Sequence, residues 1–309
     1  MINQRIVSPI LLVLLASALH AQPGTANPGD SPSPGAPSPG APAHPQPASP
    51  RDSSNPATPA EPAAAAQPKG HAKPAAPQQP AMTSQQRERA GRNLAREIVD
   101  AVGGLKAWNN PSWNISFDFV VVAGGKEIGR YSHQWLRSED RYVVSGKNKD
   151  GKKWRVQFSS FSHHQGTATV DDRPAPDTLA AKLLDMAYAR HINDTYWMLM
   201  PFKLLDSGVY HRQENDTTID GKRYQVLALS FGKVGLTPGD HYWLYVDPRT
   251  KHVVRWRYTL QSGREGEFTW DRYTRFGPLQ ISLLKRAADG SSEIRFENVH
   301  VETNGREER

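Results

Sequence analysis

The chain has 309 residues, no cysteine, 25 prolines and a formal net charge of +7. The lack of cysteine excludes disulfides, thiolate zinc sites, iron–sulfur clusters, cysteine nucleophiles and a lipidated cysteine anchor. Seventeen prolines crowd into residues 22–81, which cannot be a packed domain, whereas the 228 residues of 82–309 are enough for one.

Residues 1–21 read as an export signal. Arg5 supplies a positive start, Ile6–Leu19 an apolar run, and Ala21 the small residue at the expected cut. The run is shorter than the ~20 residues that a membrane span needs. Residues 22–81 follow as a Pro/Ala/Ser-rich linker with almost no large apolar side chain. Such a segment cannot bury enough surface to offset its ordering entropy and is expected to be disordered. The protein is thus expected in the bacterial envelope, periplasmic or secreted.

Residues 82–309 open with a helix. Thr83 and Gln86 have the spacing of a capping box, Ala90, Leu94, Ile98 and Val102 form one apolar stripe, and Gly103-Gly104 stops it. Period-two alternation follows in Trp113, Ile115, Phe117, Phe119 and Val121. Further strands are expected near 128–137, 142–144 and 154–158, with a hairpin turn at Asn148–Gly151. Asp177 can cap a helix through Leu183, Ala187 and Tyr188, and Tyr196–Met200 reads as a second, short apolar helix ended by Pro201. Strands resume near 208. Val254, Trp256, Tyr258 and Leu260 share one face, continued by Phe268 and Trp270, then by Leu279, Ile281 and Leu283. In the final strand, Ile294 and Phe296 give way to Val299 and Val301, a register shift that predicts a bulge or a strand end.

These elements predict a mainly β domain with some α: an unclosed antiparallel half-barrel of about eleven strands with a helical lid or plug. The aromatic face of Trp256, Tyr258, Phe268 and Trp270 is compatible with a filled core or with a ligand pocket. The adjoining Trp197, Met198, Met200 and Phe202 have the soft, adaptable character of a lid over an apolar cavity.

Catalytic and cofactor motifs are missing. There is no Gly-x-Ser-x-Gly elbow, phosphate-cradling loop or His-Glu-x-x-His. His163-His164, read as strand neighbours, would point to opposite faces and chelate poorly. No cofactor or metal is expected, and the reading is non-enzymatic. The 34 basic and 28 acidic residues of 82–309 alternate along strands, as Arg255 and Arg257 do, which suits a solvated outer face or an anionic membrane surface. Nucleic acid fits the charge but not an exported protein.

Tyr196-Trp197-Met198-Leu199-Met200-Pro201-Phe202-Lys203, Gly221-Lys222-Arg223-Tyr224, Leu236–Asp240 and Tyr242–Pro248 resemble the LolA/LolB-like superfamily of outer-membrane lipoprotein-sorting proteins. The resemblance runs in order over about 90–302 and is most distinctive in 196–260. It implies a half-barrel whose concave face holds acyl chains of lipids or lipoproteins, with an envelope membrane or exporter as delivery partner. On that footing Trp197, Met198, Met200 and Phe202 are the lid, and Trp256, Tyr258, Phe268 and Trp270 the cavity wall. The alternative is a tethered envelope interaction module with a filled core and no ligand.

Overall fold

The computed structural model describes residues 82–232, 239–303 and 306–307. The expected signal and linker lie outside the described residues. Among those described, no helix is long and apolar enough to cross a membrane.

Helix α1 (Ser84–Ala101) starts as its sequence dictates. The Gln86 backbone N–H donates to Thr83 Oγ1 and the Thr83 N–H to Gln86 Oε1. Its stripe buries Leu94, Ala95, Ile98 and Val99, with Val102 just beyond. Gly103, with φ of 129°, turns the chain against Pro278, whose carbonyl would collide with any Cβ. A one-turn helix α2 (Gly104–Trp108), not foreseen in the sequence, brings Trp108 into the core.

Five antiparallel strands then form a meander: β1 (Trp113–Ala123), β2 (Lys126–Leu136), β3 (Arg141–Lys147), β4 (Lys153–Ser160) and β5 (Gln165–Val170), ending in the two-residue β6 (Arg173–Pro174). His163 and His164 sit in the turn before β5 rather than on a strand; His164 has φ of 55°. Helix α3 spans Asp177–Leu199 without a break, where two helices were expected. Nothing between 189 and 195 interrupts a helix: there is no proline or glycine, and Thr195 Oγ1 donates back to the His191 carbonyl one turn earlier. The cap is Pro176, and Asp177 lies inside the first turn, where its charge suits the helix dipole. Pro201 falls in a 3-10 turn, Met200–Lys203, that closes the helix.

The second half adds β7 (Val209–Gln213), β8 (Thr217–Ile219), β9 (Lys222–Phe231), β10 (His241–Val246), β11 (Val253–Thr259) and β12 (Glu265–Thr269). These form one antiparallel sheet in the order β12-β11-β10-β9-β7, with β8 also on β9. The chain then bends at Trp270 into β13 (Asp271–Phe276), β14 (Leu279–Arg286), β15 (Ser292–Thr303) and β16 (Arg306–Glu307). Strands β13 to β15 extend the first sheet beyond β1. A Phe268–Ala287 bridge joins the two sheets at this bend. The result is an unclosed antiparallel half-barrel that begins at β6 and ends at β7. The excess over eleven strands comes from short pieces such as β6, β8 and β16, from β5, and from the splitting of the 268–276 region at the corner.

Local register follows the side chains. Of the bulge or strand end expected in the last strand, the bulge is present: Ser116 pairs with His300 and Asp118 with Glu297, so two residues oppose Phe117, and Asn298 takes φ of 49°. A second irregularity in β11 buries Val253 in place of the expected Val254, because the register slips between Tyr245 and Val246. Gly91 lets α1 lie directly on the β7 backbone; a Cβ there would come within 2.8 Å of the Arg212 nitrogen.

Candidate functional site

The concave face is occupied by the second half of α3. From Arg190 to Phe202 every residue except Asn193 is buried, so this stretch is enclosed on all sides. That differs from the first half of α3, where Thr178, Leu179, Lys182 and Asp185 are exposed.

All eight residues expected to form the site are buried in one cluster. Five meet as rings. Trp197 lies 4.6 Å from Trp256 and 4.9 Å from Phe268, centroid to centroid, and edge-on to Tyr258. Trp256 in turn meets Trp270 at 5.7 Å. Tyr196 and Tyr242, which the sequence reading did not select, complete the nest against Trp256. Phe202 turns elsewhere and stacks on Trp108 at 5.0 Å. Met198 and Met200 are buried in the same core. The rings are packed edge-to-face and tilted, the arrangements their quadrupoles favour.

Two polar atoms in this nest stand out. The indole N–H groups of Trp256 and Trp270 are buried and make no hydrogen bond to protein. A buried donor without a partner costs roughly 1–3 kcal/mol. Tyr258 has its phenol pushed up to about 12 by burial, so it stays neutral.

The opposite flank of α3 is held by polar groups that the sequence reading did not find. Asp194 is fully buried, with its Oδ2 3.0 Å from His133 Nε2 on β2, obliquely placed, and 3.3 Å from Arg190 Nη1. Asn193 Nδ2 donates to Asp194 Oδ1 at 2.7 Å. Burial pushes the Asp194 carboxyl up, but Arg190, His133 and Asn193 together hold it below its ordinary value, so it is ionised. His133 Nδ1 lies 2.6 Å from Tyr142 Oη on β3. Burial, with Asp194 nearby, drives the Tyr142 phenol well above its usual range; it therefore stays protonated and donates to the imidazole. Arg190 rests 3.2 Å over the Tyr131 ring, and Phe117 stacks on His133 at 4.7 Å. The order Tyr–His–Asp has the form of a proton relay, but both ends are sealed, so the group fixes α3 rather than meeting a substrate. The one signal in the sequence was Arg190 and Asp194, four apart on a helix that is otherwise apolar at its end.

Among the described residues, grooves open on the outside. One of about 540 Å³ runs over β2, β3 and β4 beside Ile128, Tyr131 and Trp154; another, about 480 Å³, lies over β7, β9 and β10 beside Tyr210 and Trp243. Neither contains any of the eight expected residues. Arg257 covers Trp243 at 4.4 Å and Arg255 pairs with Glu267, so this basic face is outward, as the alternation predicts. Among the described residues no three histidine or carboxylate side chains gather into a metal-binding group.

No family model and no curated protein matches the chain. Similar solved structures include a DUF1329 family protein from Desulfovibrio piger, 13% identical, covering 69% of this chain and 92% of that one at a TM-score of 0.41. A LolA superfamily protein from Nitrosomonas europaea is 11% identical, covering 68% and 92% at a TM-score of 0.42. A domain described as an outer membrane lipoprotein-sorting protein, from Vibrio parahaemolyticus, is 10% identical, covering 70% and 94% at a TM-score of 0.38. The described residues form an unclosed antiparallel half-barrel with one long helix lying in its concavity.

Proposed function

We propose that this chain is an exported, periplasmic carrier or binding protein for an acyl-bearing or similarly apolar ligand, with no catalytic turnover. One observation carries the reading: the concave face is filled by a helix of the same chain, through apolar aromatic and methionine packing. Contacts of this kind can be replaced by an alkyl chain at little loss, since neither dispersion nor burial depends on which apolar group supplies it. Withdrawal of Trp197, Met198, Met200 and Phe202 would uncover Trp256, Tyr258, Phe268 and Trp270 as the wall against which the chain lies. Residues 1–21 act as the export signal and 22–81 as a spacer between the domain and the place of delivery, at a membrane or an exporter.

The test is native mass spectrometry of the full chain purified from a bacterial envelope, followed by organic extraction. A stoichiometric acyl-containing adduct is expected. A bare mass, with no uptake of a fluorescent fatty acid, overturns the reading. The tight packing of all eight residues then favours the second one, a tethered interaction module whose core is only a core.

A further inference from the structure

On β14, Leu279, Ile281, Leu283 and Lys285 have the same parity, and the first three face the apolar core. Lys285 follows them inward. It is fully buried, its Nζ 4.0 Å from the Trp270 ring centroid and 5.1 Å from that of Phe296. The amine donates to the Ser282 carbonyl at 2.7 Å and to Ser282 Oγ at 2.9 Å. Among the described residues no carboxylate lies within 4.0 Å of it. Asp271, the nearest acid to exert a field on it, is taken by Arg286 at 2.8 Å and by Thr269 Oγ1 at 2.6 Å. Lysine is almost never fully buried without a partner, because its desolvation is costly.

This amine sits at one end of the aromatic nest. The Trp270 ring it touches meets Trp256, and Trp256 meets Trp197 on α3. The two indole N–H groups without partners belong to these same wall residues, Trp270 and Trp256. One amine and two spare donors therefore lie among the rings of this wall.

We infer that Lys285 is the headgroup anchor of the concave site, and that the ligand is a single-chain amphiphile with a carboxylate head, a long-chain fatty acid. The inference rests on the carrier reading above. The head meets Lys285 Nζ, with the Trp270 and Trp256 N–H groups as further donors, and the alkyl chain takes the place of Trp197 and the methionines. Charge selects the carboxylate over a phosphomonoester: one ammonium matches one negative charge, and a second would be buried without compensation. Burial holds the empty site's amine well below its ordinary range, so the ammonium form is disfavoured until an anion arrives. A fatty acid entering as the neutral acid supplies the proton itself. Its O–H bond breaks, the amine takes the proton, and an ammonium–carboxylate pair results with no net change in charge.

The experiment compares palmitate with hexadecanol, which has the same chain length and no charge. Both displace one fluorescent reporter from the full-length protein, in wild type and in Lys285→Met, whose apolar side chain has similar reach. Wild type is expected to prefer palmitate by about tenfold or more, as a hydrogen-bonded charge implies. Lys285→Met is expected to lose that preference while binding hexadecanol as before. Equal affinity of wild type for the two ligands overturns the inference and leaves the carrier reading standing. So does a preference for palmitate that survives in Lys285→Met. If neither ligand binds to wild type, the carrier reading falls and this one with it. Should Lys285→Met not fold, the wild-type comparison alone decides.

Discussion

The two flanks of α3 are held by different physics. Toward β10, β11 and β12 the helix meets rings: Trp197 against Trp256, Tyr258 and Phe268. Toward β2 and β3 it meets a buried polar group, Asp194 close to His133, which is bonded to Tyr142, with Arg190 alongside. Ring contacts tolerate sliding and substitution. A buried charge with fixed donors does not, because any displacement leaves it unpaired in a low dielectric. The helix is therefore pinned on one side and replaceable on the other. Under the carrier reading, the polar flank is the pivot and the aromatic flank is the part that yields.

The comparison breaks most sharply at Asp194. Asp194→Ala leaves Arg190 and His133 buried without their anion and should lower stability by about 3–5 kcal/mol in urea unfolding. A loss below about 1 kcal/mol would mean that the polar flank is not a pin. Trp197→Ala should cost about 3–5 kcal/mol through the cavity it leaves. The two variants separate when ligand is added. Hexadecanol at one fixed concentration, about a hundred times its Kd for Trp197→Ala, should restore about 2.7 kcal/mol to that variant and less to a protein that binds it more weakly. That recovery is expected for Trp197→Ala, whose cavity the alkyl chain fills, with its midpoint rising more than wild type's. Equal shifts in all three proteins would erase the distinction between the flanks.

Acid should act on the pinned side, through His191, and on β7, through His211. Burial holds His191, which packs edge-on against Tyr142 and Trp135, well below the ordinary imidazole range, and His211 is lowered by burial as well. The unfolded chain then binds more protons than the folded one below about pH 6.5, so stability falls as pH drops through that value. The slope is at most about 1.4 kcal/mol per pH unit for each such histidine. Asp194, held below its ordinary value, keeps its contribution through this window and loses it only at lower pH. His191→Phe should flatten the dependence between pH 7 and pH 5.5; an unchanged slope would place the sensitivity elsewhere. The smallest effect is expected from Met198→Leu, which conserves volume and should cost under about 1.5 kcal/mol. Under the carrier reading it narrows the range of chain lengths bound, which the same displacement assay measures across C10 to C18 alcohols.

The sequence was readable wherever a local rule acts alone. The capping box of α1, the alternation of β1 and the bulge at Asn298 all follow from spacing and side-chain type within a few residues. The unity of α3 was not foreseen, because the apolar run at Tyr196 looked like a new start. The helix in fact continues through Arg190 and Asp194, which pair with each other and are flanked by His133 and Tyr131 from a strand far away in the chain. His133 and Tyr142 lie some fifty to sixty residues before Asp194, at positions that carry no motif. The corner at Trp270 was hidden for a related reason. The bend between β12 and β13 is set by which sheet each half pairs with, and pairing is not a local property. Lys285 did leave a trace: it breaks an apolar alternation at the position where a fourth hydrophobic residue was due.

A sheet that does not close has two rims, and a bare rim offers unpaired N–H and C=O groups to any extended chain that passes. Here one rim is β6, only two residues long and ending in Pro174, which has no N–H to offer. The other is β7, and α1 lies against its backbone, seated there because Gly91 has no side chain, with Arg87 Nη1 donating to the Gln213 carbonyl. The sheet thus stays open without leaving either described rim bare for another strand to pair with. The methyl group that Gly91 lacks is part of what lets α1 cover that rim.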